Sequence, residues 1–332
     1  MNRPSNTVKA IGEQGLLQRL QRFCPSDMIG DDAAVLNLEK DRALVVTTDM
    51  LVDGVHFSDR TTSPEDAGWR AAAANLSDLA AMGASPVGIT VALGLPGEVA
   101  VSWVEALYQG LWECLQCYQT PLVGGDICRS SVITISITAF GQVEKERTIS
   151  RFIAQPGDAI AITGFHGCSR AGLELLLHPE YGQHLDEVSK KALIQAHQRP
   201  KPRLDVLQHL DNDTRRRIAG MDSSDGLADA VLQLCRCSGV GARVDRQKIP
   251  LPPALRQFVS PEQALDYALY GGEDFELVLC LPPPQAEILI QRLGNGAAIV
   301  GMITEDSNVE LIDSYGIYST QTLTLSKSFQ HF

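Results

Sequence analysis

The sequence predicts a two-domain α/β protein. Three observations carry that expectation: runs of alternating apolar and polar residues separated by helix-like stretches, a Pro-Gly break near residues 150–157, and 332 residues of which 44% are hydrophobic and 20% charged. Such a chain can bury two ordinary cores. The expected division is 1–150, an ATP- and metal-binding domain that also dimerises, and 151–332, a C-terminal α/β domain.

The elements follow in order. Residues 43–50, "ALVVTTDM", form a β-branched run. "SPEDAGWRAAAANLSDLAAMG" (63–83) reads as a helix, with Ser63 as N-cap, Pro64 in the first turn, Glu65 and Asp66 at the positive dipole end and Gly83 as stop. It is alanine-rich, so neighbours can approach closely. In "VGITVALGL" (87–95), Val87, Ile89, Val91 and Leu93 share one face. A helix over about 102–118 ends before Pro121. "VITISITAF" (132–140) sets its isoleucines against Thr and Ser with period two, the pattern of a half-buried strand.

Beyond Pro156-Gly157, "AIAIT" (159–163) reads as a strand, and "GFHGCSRAGLELLL" as a glycine loop feeding a helix. Prolines at 179, 200 and 202 flank a surface helix within 178–203. A helix over 226–235, a strand over 275–281, a helix near 284–293 and a strand near 297–303 complete the series.

Forty acidic against 28 basic side chains give a net charge of -12, which argues against a general nucleic-acid or anionic-membrane binder. No apolar run approaches membrane-spanning length, and "MNRPSNTVKAIGEQG" lacks the apolar core of a signal peptide, so a cytoplasmic location is expected. The eight cysteines have no paired framework, and the single C-x-x-C, Cys114 and Cys117, lacks a second ligand pair. They read as reduced thiols.

Five acidic clusters stand at element ends: Gly30-Asp31-Asp32, Thr47-Thr48-Asp49, Asn75-Leu76-Ser77-Asp78, Gly124-Gly125-Asp126 and Asp222-Ser223-Ser224-Asp225-Gly226. Each sets a carboxylate beside a hydroxyl, an amide or a glycine. Hard-oxygen sets of this kind suit Mg²⁺ shared with phosphates. Two carboxylates about 4 Å apart repel by roughly 4 kcal/mol at an effective dielectric of 20, so convergence of several would require divalent cations.

Each cluster also has a plainer reading. Asp222 or Ser224 can cap the following helix with Asp225 on its dipole, Asn75 and Asp78 can form a solvated stripe, and Gly124-Gly125 can be an ordinary turn. Gly271-Gly272-Glu273-Asp274-Phe275 repeats the glycine-acid device, again with a turn as the alternative. Neither a G-x-x-x-x-G-K-[ST] loop nor a G-x-G-x-x-G fingerprint is present. A nucleotide would be held largely through metals.

The ordered set "GDDAAV", "TTDMLVDGVHF", "NLSDLAAMGASP", "VGGD", "PGD.IAITG", "DSSDGL" and "GGEDFEL" resembles thiamine-monophosphate kinase, of the superfamily that includes aminoimidazole-ribonucleotide synthetase and selenophosphate synthetase. The resemblance runs from about residue 11 to the end. It implies ATP-dependent phosphorylation of thiamine monophosphate to thiamine diphosphate with several Mg²⁺ ions, and an aminoimidazole-ribonucleotide synthetase-like fold whose N-terminal strands build a β-barrel across a homodimer.

Carried over by residue, it implies Mg²⁺ ligands at Asp32, Thr47, Thr48, Asp49, Asp78, Asp126, Asp222 and Asp225. It implies ATP contacts at Tyr108, Gly125, Asp126, Arg151 and Ser224, and contacts to the thiamine part at His56, Glu273 and Phe329, where the family commonly has tyrosine. Two alternatives stand beside it. One is another ATP-using synthetase or dikinase of the superfamily, although the reactive N-terminal cysteine of selenophosphate synthetases has no counterpart before Cys24. The other is a non-catalytic metal- or nucleotide-sensing protein.

Overall fold

A computed structural model describes residues 7–26, 28, 33–210 and 217–325. They form two compact units. The first takes the chain up to Leu79 together with Ala84–Val143, and the second takes Ala80–Gly83 and the chain from Glu144 onward.

The first unit contains α1 (Val8–Leu20), β1 (Arg42–Val52), α2 (Pro64–Ala81), β2 (Ser85–Leu95), α3 (Val101–Cys117), β3 (Leu122–Arg129) and β4 (Thr134–Glu144), with the last residues of α2 and β4 passing into the second unit. Ser63 begins α2 as expected, its hydroxyl accepting the Asp66 N–H at 3.1 Å. The strands lie in the order β1-β4-β2-β3, with β2 antiparallel to β4 and parallel to β3. The period-two pattern holds in β4: Ile135, Ile137 and Ala139 are buried while Thr134, Ser136 and Thr138 are partly open.

Helices α2 and α3 meet backbone to backbone. A Cβ at Gly68 would lie 1.9 Å from the Leu107 carbonyl oxygen, and one at Gly110 would lie 1.8 Å from that of Glu65. The small side chains of α2 permit this contact.

One of the plainer readings fails here. Gly124 and Gly125 are not in a turn; they lie within the regular strand β3, paired with Thr90 and Val91. A Cβ on Gly125 would sit 2.2 Å from the Val91 carbonyl oxygen, so the glycine serves close strand packing.

The second unit contains β5 (Ala159–Ile162), α4 (Cys168–Leu177), α5 (Glu187–Gln198), α6 (Val206–His209), β6 (Ala219–Asp222), α7 (Leu227–Ser238), β7 (Gly241–Asp245), α8 (Pro253–Phe258), α9 (Pro261–Tyr270), β8 (Leu277–Leu281), α10 (Pro283–Leu293), β9 (Ala298–Thr304), β10 (Val309–Ile312) and β11 (Gln321–Thr322). A seven-stranded mixed sheet runs β11-β10-β7-β9-β5-β8-β6. Its central strands are apolar on both faces because both are covered. Ile160, Ile162, Val278 and Cys280 join the core with residues of α7 and α9, whereas Ala159, Ala161, Leu277 and Leu279 join the core with Ala286 and Leu289 of α10.

All eight cysteines are free thiols. Among the described residues, no helix is long and apolar enough to cross a membrane.

Candidate active site

In the first unit, strand β1 presents alternate side chains to opposite faces. Thr47 and Asp49 face α2, where the Thr47 hydroxyl donates to the Asp78 carboxylate. Asn75, one turn before Asp78, is fully buried; its side-chain oxygen accepts the Asp49 N–H at 3.2 Å and its amide donates to the Ala71 carbonyl at 3.0 Å. Asn75 is therefore not part of a solvated stripe: with the partly buried Asp78 it clamps the middle of an edge strand to a helix.

Thr48 points the other way. Its hydroxyl donates to the Ile137 carbonyl at 2.8 Å and accepts from Thr138 at 3.3 Å. Asp126 pairs with Ala92, which pairs with Ser136, so Asp126 shares the Thr48 face of the sheet and stands on the opposite edge strand. The register thus divides this unit's expected ligands between two faces. Thr47, Asp49 and Asp78 form one group, while Thr48 and Asp126 lie away from it.

A cavity of about 710 Å³ opens beside Asp126. It is lined by Leu17, Leu20, Leu44, Thr90, Phe140 and, among the expected nucleotide contacts, Tyr108, Gly125 and Asp126. Largely apolar walls with a few polar groups suit a flat heterocycle attached to charged groups. Tyr108 is buried against Phe23, ring centroids 5.8 Å apart, and burial raises its phenol pKa.

His56 follows β1 in a turn in which the Gly54 N–H reaches the Phe57 carbonyl at 2.8 Å. The His56 Nδ1 accepts the Val52 N–H at 3.1 Å, so the neutral ring carries its proton on Nε2.

In the second unit, two motifs far apart in sequence interlock. Asp222 pairs with Leu277 across β6 and β8; the Ser223 N–H donates to the Glu276 carbonyl at 2.8 Å and the Glu273 N–H to the Ser224 carbonyl at 2.7 Å. The turn carrying Asp222, Ser224 and Asp225 therefore lies against the loop carrying Glu273. The capping alternative does not hold for Asp222 or Ser224, because the N-cap of α7 is Gly226, which has no side chain.

The Glu273 loop is strained: φ is +58° at Glu273 and +52° at Phe275, a region disfavoured for residues with side chains. Gly272, at φ +62°, has the Ser224 carbonyl only 2.8 Å from where a Cβ would stand.

A buried polar network holds this loop. Asp274 accepts the Gly167 N–H at 2.6 Å and the Ser169 N–H at 2.9 Å at the start of α4. Burial raises its carboxyl to about 7, against the pull of those two donors. Glu276 accepts from Thr163 Oγ1 and from Arg203, each at 2.5 Å. Burial raises Glu276, and the Arg203 charge opposes the rise. Arg151 stands apart from this network, with its carbonyl bound by Ser238 at 2.8 Å and its charge lowering the Asp229 carboxyl that burial raises.

Residues 30–143 match the AIR synthase related protein, N-terminal domain, and residues 155–314 match the AIR synthase related protein, C-terminal domain. Over 331 residues the chain is 52% identical to thiamine-monophosphate kinase of Synechococcus elongatus, covering 98% of both chains. The chain belongs to the thiamine-monophosphate kinase family. The crystal structure of thiamine-monophosphate kinase from Stenotrophomonas maltophilia K279a is similar, with a TM-score of 0.78 and 34% identity over 89% of this chain and 94% of that one. A structure described as AaThiL complexed with AMPPCP and TMP has a TM-score of 0.72 and 33% identity over 97% and 99% of the two chains.

The two-domain fold of the thiamine-monophosphate kinase family is thus legible in the sequence. Asp32 and Phe329 lie outside the described residues. The supporting residues were not foreseen: Asn75 drew notice only as part of a stripe and Thr163 only within the family-like stretch at 156–164, while Ser169, His197 and Arg203 carried no motif. The polar side chain of Asn75 in the alanine-rich helix α2 was the available signal.

Proposed function

We propose that the chain transfers the γ-phosphoryl group of ATP directly to the phosphate of thiamine monophosphate, giving thiamine diphosphate and ADP. The observation that carries this reading is the match of nearly the whole chain to a kinase of that name, at 52% identity. The structure described with AMPPCP and TMP supports the same pair of substrates.

The chemistry asks little of a base. The accepting oxygen belongs to a phosphate that is already anionic near neutral pH, so transfer needs in-line placement and charge neutralisation. Magnesium suits hard oxygen: Thr47, Asp49 and Asp78 offer such donors on one face of the first unit's sheet and Thr48 and Asp126 on the other, with Asp32, Asp222 and Asp225 as ligands of further ions. Among the described residues no three His, Cys, Asp or Glu side chains form a metal-holding group. That suits an ion held by one or two carboxylates and completed by hydroxyl, water and phosphate oxygens. When bound, magnesium would neutralise phosphate charge.

The chain's own residues bind and orient. Tyr108 and Gly125 border the cavity proposed for the nucleotide, with Asp126 at its polar end. Arg151 supplies a forked donor for phosphate oxygens, and Ser224 is the remaining ATP contact. His56, Glu273 and Phe329 receive the thiamine part, with the Glu273 carboxylate attracting its cationic ring.

Leu44, Val46 and Met50 are each more than half exposed and alternate along edge strand β1. Such a strand invites pairing with a second copy, which supports a homodimer whose strands close a barrel. We place the enzyme in the cytoplasm, with its nucleotide.

An assay of ADP release with thiamine, thiamine monophosphate or thiamine diphosphate, each with ATP and Mg²⁺, tests the reading. Turnover should appear with the monophosphate alone; equal turnover without any acceptor, or none with the monophosphate, overturns it.

A further inference from the structure

The cavity beside Asp126 lies on the partly open face of the first unit's sheet, where the strand register lays three rows of residues side by side. In the first row Asp126 pairs with Ala92, and Ala92 with Ser136. In the second, Gly124 pairs with Thr90, and Thr90 with Thr138. In the third, Gly88 pairs with Phe140, and a Cβ on Gly88 would lie 2.9 Å from Val123 Cγ1 and 3.5 Å from Leu36 Cδ2. Successive rows are two residues apart, about 7 Å along the strands. Polarity therefore falls in steps, from a carboxylate through hydroxyls to apolar groups.

Thr90 supplies the only Ser or Thr hydroxyl that lines the cavity among the described residues. The other hydroxyls of its row are committed: Thr138 donates to Thr48 at 3.3 Å, and Thr48 donates to the Ile137 carbonyl at 2.8 Å. Thr90 stands partly buried on the inner strand β2, and among the described residues its hydroxyl has no hydrogen-bonding partner. Toward the edge strand it faces Gly124, where a Cβ would meet only the Thr90 Cγ2, at 3.7 Å. The absent side chain leaves Thr90 uncovered on that side.

A nucleotide carries the same order of polarity: charged phosphates, a hydroxylated ribose and a base with apolar faces. We propose that the Thr90 hydroxyl is a specificity-determining contact to a ribose hydroxyl of ATP, with the phosphates toward the Asp126 row and the base toward the Phe140 row. This rests on the reading of the cavity as the nucleotide site. A threonine hydroxyl both donates and accepts, so either the 2′- or the 3′-hydroxyl can pair with it.

The test is steady-state kinetics of the full-length protein with ATP, 2′-deoxy-ATP and 3′-deoxy-ATP as phosphoryl donors, for the parent, Thr90→Val and Thr90→Ser. Calorimetric Kd values are taken for the same nucleotides. In the parent, one of the deoxy nucleotides should show a KM about three- to tenfold above that of ATP, the size of one neutral hydrogen bond. Thr90→Val keeps the branched shape without the hydroxyl; it should raise KM for ATP by that factor, leave that deoxy nucleotide unchanged and so abolish the preference. Thr90→Ser should keep the preference. The kcat and the KM for thiamine monophosphate should stay within about twofold of the parent.

Equal use of all three nucleotides by the parent, an unchanged KM for ATP in Thr90→Val, or an equal rise for all three would overturn the assignment. Should Thr90→Val fail to fold, loss of the preference in Thr90→Ser would do the same. If the parent releases no ADP from ATP with thiamine monophosphate, the kinase reading falls, and the Kd ratios alone decide the role of Thr90.

Discussion

The two units hold their acidic groups by opposite means. In the first, Thr47, Asp49 and Asp78 sit on a regular strand and helix, where the Thr47 hydroxyl donates to the Asp78 carboxylate and the Asn75 side-chain oxygen accepts the Asp49 N–H. In the second, Glu273 sits on a strained loop anchored by buried charge, with Asp274 on a helix start and Glu276 on Arg203. Side chains on a regular strand and helix are placed by the elements themselves. Charged support on a loop fixes a backbone that would otherwise relax.

The contrast can be broken at several points. The largest effect is expected on the first unit's chemistry: Asp78→Ala or Asp126→Ala should lower kcat by about 10²- to 10³-fold, the usual scale for losing one electrostatic contact to the transition state. Melting curves should stay close to the parent. Near-normal turnover in both would remove the metal assignment.

Next comes the second unit's anchor. Arg203→Met leaves Glu276 buried without its cation and should destabilise that unit by about 3–5 kcal/mol in denaturant titrations. If the loss stays under about 1 kcal/mol, the account of the loop is wrong. Asn75→Ala, which strands the Asp49 N–H, should cost about 1–3 kcal/mol by the same measurement.

The smallest effect is a pH dependence. His166 is fully buried, its Nδ1 lies 3.2 Å from the Gly164 carbonyl, and among the described residues its Nε2 has no hydrogen-bonding partner. Burial lowers its pKa to about 4, against an unfolded value near 6.5. Between these values the unfolded chain binds the extra proton, so this residue's contribution to stability is full above about pH 6.5 and is lost as pH falls toward 4. The melting temperature of His166→Gln, compared with the parent across that range, should lack this component.

Legibility divided along the same line. Strands β2 and β4 and helix α2 were readable because burial alternates with a local period, and Ser63 and Gly83 mark the ends of α2. Asp78 stood out because a carboxylate inside an alanine-rich helix has no local use. By contrast, strand β3 was hidden by its two glycines, whose need is the Val91 carbonyl of another strand. The face occupied by Asp126 depended on a register that no local pattern reveals, and the Glu273 loop depends on Ser169, His197 and Arg203, residues 70 or more positions away. Period exposes local structure; partners distant along the chain leave no period.

The division of labour is tested most directly by kcat and KM for thiamine monophosphate measured side by side for Asp49→Ala and Glu273→Gln. Loss of kcat in the first and a raised KM at nearly unchanged kcat in the second are the predicted pair. Normal turnover by Asp49→Ala, or a fall in kcat alone for Glu273→Gln, would contradict it.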